Sequence, residues 1–120
     1  MRFSLEDLRE SKALLELKSI NRGIEKESLR VSGKGEISKL KHPSELGSSL
    51  TNPYITTDFS ESLLELITPT FNSAKECLNF LEELHIFVYN NINKELLWPF
   101  SMPCPIAQDE EIPIGNYGNS

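Results

Sequence analysis

Five carboxylates in two short segments are the residues whose types and spacing could do chemistry. Glu25 and Glu27 lie two positions apart, Glu61 and Glu65 lie four positions apart, and Asp58 comes three residues before Glu61. Residues two or four positions apart on a β-strand point to the same face. If the two segments pair as strands, the carboxylates converge, and such an all-oxygen cluster suits a hard cation such as Mg²⁺.

Two interpretations of these carboxylates stay open. Alternating charged residues usually mark the solvent-exposed face of a strand. In the segment SESLLELIT, however, Glu61 and Glu65 share their face with Leu63 and Ile67, and the opposite face is also largely apolar. This pattern predicts a strand that is covered on both faces, where a carboxylate needs a partner such as a metal ion.

The histidines, cysteines and glycines give weaker signals. His85 and Cys77 fall on the apolar side of a predicted helix, which favours packing in the core. His42 precedes a proline and is predicted to lie in a loop, whereas Cys104 lies in a proline-rich segment without a basic neighbour that would activate it. The sequence Ser32–Gly35 lacks the spacing of a phosphate-binding loop and predicts a hairpin turn.

The apolar periodicity predicts the elements that position these residues. Ser4 and Ser73 each precede a stretch with helical spacing and can cap it. Alternating residues before the hairpin turn and a run rich in β-branched residues indicate strands. The predicted order is a helix over 1–20, a hairpin over 22–38, a strand region over 54–68 interrupted near Asp58, a helix over 73–92 and an irregular segment over 93–120.

Length and charge narrow the classes of protein. The 120 residues suffice for one domain, and no apolar run is long enough to span a membrane. Ten of the 12 basic residues lie in 1–41, which leaves Lys75 and Lys94 against 11 acidic residues in 42–120. A segment so poor in cations argues against nucleic-acid binding. Because the N-terminus lacks an export signal and two cysteines are too few for a disulfide framework, the sequence predicts a cytoplasmic protein.

Three longer motifs carry a family resemblance. They are NRGIEKESLRVS, HPSELGSSLTNPYITTDFSESLLELITP, and LLWPFSMPCPIA followed by NYGNS. These segments resemble the proteobacterial type of glutamate–cysteine ligase, nearly without gaps from residue 21 to residue 120. The resemblance implies an enzyme of the first step of glutathione synthesis. Such an enzyme joins the γ-carboxylate of L-glutamate to the amine of L-cysteine through a γ-glutamyl phosphate, using ATP and Mg²⁺, with Mn²⁺ as an alternative.

The resemblance also implies a fold and a set of site residues. The family fold is α+β and related to that of glutamine synthetase, with a curved antiparallel sheet and flanking helices. Phe59 matches an aromatic residue that lines the pocket for the cysteine side chain, and Glu61 is a further candidate metal ligand. The residues that match the family's metal ligands are Glu25, Glu27, Asp58 and Glu65.

The resemblance further implies that part of the site is missing from this chain. Family members are several times longer than 120 residues, and their other ligands and the basic side chains that hold the substrates come later. We therefore expect the N-terminal portion of a catalytic domain that is inactive alone. A non-catalytic remnant that binds a cation or a partner chain is the alternative, and complementation by a separate C-terminal piece is a third.

Overall fold

The body of the protein is a four-stranded antiparallel sheet with one long helix packed on it. The computed structural model describes residues 4–118. The strands are β1 (Glu25–Val31), β2 (Ile55–Thr57), β3 (Leu63–Ile67) and β4 (Leu96–Leu97), in the spatial order β2-β3-β1-β4. The helices are α1 (Leu5–Glu10), α2 (Ala13–Lys18) and α3 (Ala74–Asn91), and short 3₁₀ turns lie at Ser44–Leu46 and Asp109–Glu111. No helix in residues 4–118 is long and apolar enough to cross a membrane.

One face of the sheet, which we call the helix side, packs against α3. This helix begins after Ser73, whose hydroxyl accepts a hydrogen bond from the N–H of Glu76. Its apolar stripe then covers the side chains that alternate inward along the strands. The buried core formed there consists of Leu46, Ile55, Leu64, Leu66, Leu84, Val88, Ile92 and Leu97.

A buried arginine also lies on the helix side. The Arg30 side chain is fully buried, and its Nη1 lies 2.6 Å from Oε2 of Glu95. Its Nη2 donates to the backbone carbonyls of Leu40, Lys41 and Glu61. Since a carboxylate and three carbonyls surround the guanidinium, its charge is compensated inside the protein. Arg30 therefore ties β1 to the segment before His42 and to the turn before β3.

The opposite face of the sheet is covered at one end. The chain turns back after β1, so that Val31 pairs with Ile37, and the proline-rich segment returns over the same place. Val31, Ile37 and Cys104 form a second buried cluster there, with Leu29 and Trp98 packed against it. This cluster fixes the later half of β1 and leaves the earlier half of that face uncovered by any element in residues 4–118.

The N-terminal region differs from the single helix predicted over 1–20. Ser4 caps α1 in a capping box with Asp7, but Ser11 adopts an extended conformation and ends that helix. The Ser11 hydroxyl donates to the carbonyl of Leu8, a local bond of the kind that competes with helix continuation. The result is two short helices, and the part of the prediction that covers residues 1–3 lies outside the described residues.

One predicted element is confirmed and another is corrected. The strand region over 54–68 is interrupted near Asp58, as predicted, because Phe59 has a φ of 56° and the N–H of Ser60 bonds to the Asp58 carbonyl at 2.6 Å, which closes a tight turn. The segment over 93–120 is not wholly irregular. It contributes β4, after which the N–H of Trp98 donates to the carbonyl of Leu29. This second difference arises from a contact between residues far apart in sequence.

Candidate functional site

Four carboxylates converge on the face of the sheet that points away from α3, which we call the open face. Glu27 lies directly opposite Glu65 in the β1–β3 pair, and Glu25 lies two residues along on the same side. Directly opposed residues in an antiparallel pair have Cβ atoms about 5 Å apart. Asp58 enters from the turn between β2 and β3 and lies near enough for its charge to act on Glu65. The strand pairing expected from the sequence is therefore present.

The open face is less covered than the sequence predicts. Glu25 and Glu27 are exposed, and Leu63 and Glu65 are half-buried, whereas Leu64 is fully buried against α3. The expectation of a strand covered on both faces is thus wrong for residues 4–118. The reason is that α3 and its core cover one face of the sheet, whereas the second buried cluster covers only the far end of the other.

The open face carries uncompensated negative charge. Partial burial raises the pKa of Glu65, and the negative charges of Glu25, Asp58 and Glu27 raise it further. Lys26 does not relieve this repulsion, because it alternates to the helix side, where its ammonium bonds to the Ser28 hydroxyl. Burial there lowers the pKa of Lys26. None of the ion pairs in the described residues therefore joins these four carboxylates to a basic side chain.

Glu61 has a different role from the other four carboxylates. It is buried in the turn before β3, and so it does not share a strand face with Glu65 as predicted. Its Oε2 accepts the backbone N–H of His42 at 2.7 Å, and its Oε1 accepts that of Asn116 at 2.6 Å. Both oxygens are therefore occupied by strong charge-assisted hydrogen bonds. Glu61 holds two distant segments together at the edge of the open face.

Phe59 is exposed and conformationally strained. Its φ of 56° lies in the left-handed region, and its side chain is 77% exposed. The phenolic oxygen of Tyr117 accepts the Phe59 N–H at 2.7 Å, and the N–H of Gly115 donates to the Phe59 carbonyl at 2.8 Å. We call residues 113–117, which make these contacts, the strap. An exposed aromatic side chain on a strained residue is a functional signal, because neither property helps the fold.

The open face fits a divalent cation in donor type but does not enclose one. Its donors are carboxylate oxygens, which Mg²⁺ prefers, and their mutual repulsion would be relieved by a cation. No group of three or more His, Cys, Asp or Glu side chains within the described residues is arranged to hold a metal ion. The chain therefore supplies part of a coordination sphere at most.

The remaining candidates serve the fold. The two cysteines are free and buried, and burial raises the pKa of Cys104, which disfavours its reactive thiolate. The ring of His85 is half-buried, with Nδ1 2.8 Å from the carbonyl of Leu81. Burial and the positive charge of Arg30 lower the pKa of His42, and the Glu61 carboxylate opposes this shift only in part. None of these groups lies among the open-face carboxylates.

Sequence reasoning missed Arg30 and the strap. Arg30 shares a strand with the predicted carboxylates, and its alternation with Lys26 and Ser28 was the signal that could have placed it on the other face. The partners of Arg30 and Phe59 lie 10 to 65 residues away in sequence, so no local pattern reveals them. Gly115 and Tyr117, the two residues that bond to Phe59, gave no sign of that contact in the sequence.

Comparisons with known proteins agree with one another. A family model described as glutamate-cysteine ligase matches residues 5–120. The chain is 59% identical over 104 residues to the glutamate–cysteine ligase of Wigglesworthia glossinidia brevipalpis, covering 87% of this chain and 21% of that protein. It is 52% identical over 104 residues to that of Alcanivorax borkumensis, covering 87% of this chain and 20% of that protein. The chain thus spans about a fifth of the length of these curated relatives.

Solved structures resemble this fold as well. The crystal structure of glutamate–cysteine ligase from Francisella tularensis in complex with AMP superimposes with a TM-score of 0.79 at 42% identity, covering 83% of this chain and 20% of that chain. A bifunctional glutathione synthetase from Pasteurella multocida gives a TM-score of 0.77 at 37% identity, covering 82% of this chain and 14% of that chain. The α+β fold expected from the sequence is confirmed.

Proposed function

The chain belongs to the glutamate–cysteine ligase family, and we propose that it forms the N-terminal portion of the catalytic domain of such a ligase. The proposed reaction joins the γ-carboxylate of L-glutamate to the amine of L-cysteine with ATP. ATP binding is supported by the AMP that the Francisella tularensis relative holds. The single observation that carries the proposal is the open face. Four carboxylates converge there, and no ion pair in residues 4–118 joins them to a basic side chain.

We propose that Glu25, Glu27, Asp58 and Glu65 contribute ligands to Mg²⁺, with Mn²⁺ as an alternative metal. Glu27 and Glu65 lie on adjacent hydrogen-bonded strands, so their backbones are held at a fixed separation. A divalent ion bound there would neutralise the charge that develops when phosphate is transferred from ATP to a carboxylate. The chain's own part is to offer fixed oxygen donors and to keep its basic side chains off that face. We leave Glu61 out of these ligands, because it is buried in the turn before β3, where it holds the backbone N–H groups of His42 and Asn116.

We further propose that Phe59 contacts the side chain of the L-cysteine substrate. Its ring is exposed at the rim of the open face, one residue after Asp58 and next to the strap. An apolar ring in this position suits a small, weakly polar side chain such as a thiol. The strained backbone that presents the ring supports a role in binding rather than in packing.

The isolated chain is expected to be inactive. Phosphoryl transfer requires basic side chains that hold phosphates and substrate carboxylates. Arg30 is buried with Glu95, and Lys26 points to the helix side, so neither cation serves the open face. The remaining parts of the site must come from sequence that this chain does not contain. A cytoplasmic location is also proposed, since both cysteines are free thiols, as in reducing compartments.

The test joins this chain to the sequence that its relatives have and it lacks. Residues 1–120 are fused to the matching C-terminal part of the Wigglesworthia glossinidia brevipalpis ligase, to which the chain is 59% identical. We expect the fused protein to form γ-glutamylcysteine from ATP, L-glutamate and L-cysteine with Mg²⁺, and the isolated chain to form none. Product from the isolated chain would contradict the proposed division of the site.

A pair of matched variants locates the chemistry on the open face. Glu27→Gln removes one proposed ligand, and we expect it to lower kcat/KM by at least about 10- to 100-fold, the loss seen when a partner of a metal ligand is removed. Glu82→Gln makes the same chemical change on the exposed surface of α3 and should leave the activity unchanged. Equal activity of the two variants would contradict the proposed metal-binding role, and an inactive but folded fusion would favour a non-catalytic role for the chain.

A further inference from the structure

We propose that Tyr117 is a positioning residue that fixes Phe59 in its left-handed conformation and thereby strengthens the binding of L-cysteine. The proposal rests on the proposed contact between Phe59 and L-cysteine. Its physical basis is independent of that function, because it lies in the hydrogen bonds between the strap and the turn before β3. Tyr117 itself need not touch the substrate.

The strap is attached to the turn at several points. The Ser60 hydroxyl and the Glu61 N–H both donate to the Pro113 carbonyl, at 2.6 and 3.0 Å. The Asn116 N–H donates to the buried carboxylate of Glu61 at 2.6 Å. These bonds fix the strap beside the turn whether or not Tyr117 is present. The strap therefore provides a stable base from which a single side chain can act on Phe59.

Two bonds from the strap reach Phe59 itself. The Tyr117 oxygen accepts the Phe59 N–H at 2.7 Å, and the Gly115 N–H donates to the Phe59 carbonyl at 2.8 Å. The left-handed conformation is disfavoured for an L residue by roughly five- to thirtyfold. A neutral hydrogen bond shifts an equilibrium by about fivefold. Both bonds together can offset the strain. The Ser60–Asp58 bond still closes the turn without Tyr117, so loss of the Tyr117 bond weakens the hold on Phe59 by about fivefold.

The Tyr117 ring lies close against the backbone of Gly115. A Cβ atom built on Gly115 would lie 3.2 Å from Cζ and from the phenolic oxygen of Tyr117, closer than side chains normally approach. Glycine at this position lets the ring lie directly over the strap backbone. A Cβ atom at this position requires the Tyr117 ring to shift by a few tenths of an ångström, which we expect to lengthen its bond to the N–H of Phe59. Gly115→Ala therefore disturbs the same bond without removing the hydroxyl.

The first arm of the test measures Phe59 directly in the chain, without any substrate. In Tyr117→Phe we expect hydrogen exchange of the Phe59 amide to accelerate by about fivefold or more, with a shift of its Cα and Cβ resonances away from left-handed values. Gly115→Ala should give the same changes. Tyr89→Phe is the control, since Tyr89 lies exposed on α3 and its hydroxyl makes no hydrogen bond within residues 4–118. Unchanged Phe59 exchange in Tyr117→Phe would overturn the proposal.

The second arm uses the fused protein and separates positioning from general damage. We expect Tyr117→Phe to raise the KM for L-cysteine about fivefold while the KM values for ATP and L-glutamate stay unchanged. Changes in all three KM values, or in none, would overturn the proposed role in L-cysteine binding. If the unsubstituted fusion makes no product, the proposed function fails, and the exchange measurement still decides whether Tyr117 positions Phe59.

Discussion

The helix side and the open face of the same sheet differ in the burial of their side chains and in the pairing of their charges. On the helix side, Leu64 and Leu66 are buried against α3, and the charge of Arg30 is paired with Glu95. On the open face, Glu27 stands opposite Glu65 in the same two strands, and the described ion pairs balance neither charge. Neighbouring residues along β1 and β3 point to opposite faces of the sheet, and this direction separates the buried side chains from the exposed ones.

This difference shows which residues stabilise the fold and which do not. On the helix side, the Arg30 guanidinium has partners on both of its terminal nitrogens, and only its Nε lacks one within residues 4–118. The open face instead carries like charges, an exposed aromatic ring and a left-handed backbone at Phe59. Features that cost stability persist where they serve binding. We therefore expect the larger losses of stability from substitutions on the helix side, and the gains from substitutions at the open face.

Arg30→Met should produce the largest loss. The substitution leaves Glu95 and three carbonyls without their donor, and breaking such a buried pair costs about 3–5 kcal/mol. Urea denaturation of the chain measures the free energy of unfolding. Arg9→Met, at an exposed position of α1, is the matched control and should change little. A loss equal to that of the control would show that Arg30 does not hold the helix side together.

Leu64→Ala and Leu63→Ala compare the two faces at adjacent residues. Leu64 is fully buried, and truncation of a buried leucine costs about 2–5 kcal/mol. Leu63 is half-buried on the open face, where we expect a cost of about 1 kcal/mol. Both values come from the same urea denaturation. Equal losses would mean that the open face is as well packed as the helix side, contrary to the structure.

Phe59→Gly should stabilise the chain by about 1 kcal/mol, because glycine adopts a positive φ without strain. The Phe59 ring is exposed, so its removal sacrifices little packing. Asn93→Gly is the control at another residue with positive φ, where the gain should be smaller, since asparagine tolerates that conformation. Thermal unfolding of both variants checks the order. Destabilisation by Phe59→Gly would show that the ring packs against the chain.

Glu65→Gln should give the smallest effect, a gain of about 0.5 kcal/mol at pH 7, because it removes a partly buried charge together with its repulsion by Glu25, Asp58 and Glu27. Folding raises the pKa of Glu65 above its ordinary value of 4.5, so the folded chain binds this proton more tightly than the unfolded chain. The carboxyl therefore favours folding at acid pH and loses that contribution as pH rises through the raised pKa. The advantage of the variant should accordingly vanish on acidification to pH about 4 and below.

The control for this pH dependence is Glu83→Gln, on the exposed surface of α3. Urea denaturation across the pH range should show no gain for this variant that disappears on acidification. A gain of Glu65→Gln that persists unchanged at low pH would contradict the assignment of the effect to charge repulsion on the open face.

The sequence predicted those parts of the structure that depend on local pattern. The cap at Ser73 and the spacing of Glu25 and Glu27 are visible in a few consecutive residues, and the structure contains both. The roles of Arg30 and Glu61 depend on partners 10 to 65 residues away, which no periodicity encodes. The break at Ser11 was missed because a local side-chain bond outweighs helical spacing there.

For the candidate site, the sequence predicted that carboxylates from two segments would share one face, and their role as metal ligands stays a prediction. Four carboxylates and Phe59 were named from the resemblance, and the structure brings the four carboxylates to one face. The openness of that face could not be read from SESLLELIT, since an apolar residue on a strand looks the same whether its cover lies in this chain or elsewhere. The positive φ of Phe59 could not be predicted either, because the residue that adopts it is neither glycine nor asparagine.

We predict that the open face of this chain binds a divalent cation weakly and that the helix side binds none. Paramagnetic broadening by Mn²⁺ of the amide signals of the ¹⁵N-labelled chain tests this claim most directly, because it detects weak binding site by site. We predict that broadening begins at Glu25–Glu27, Asp58 and Glu65 and is lost in the double variant Glu27→Gln, Glu65→Gln. Broadening centred on the exposed acidic turn at Asp109–Glu111, or unchanged in the double variant, would contradict the claim.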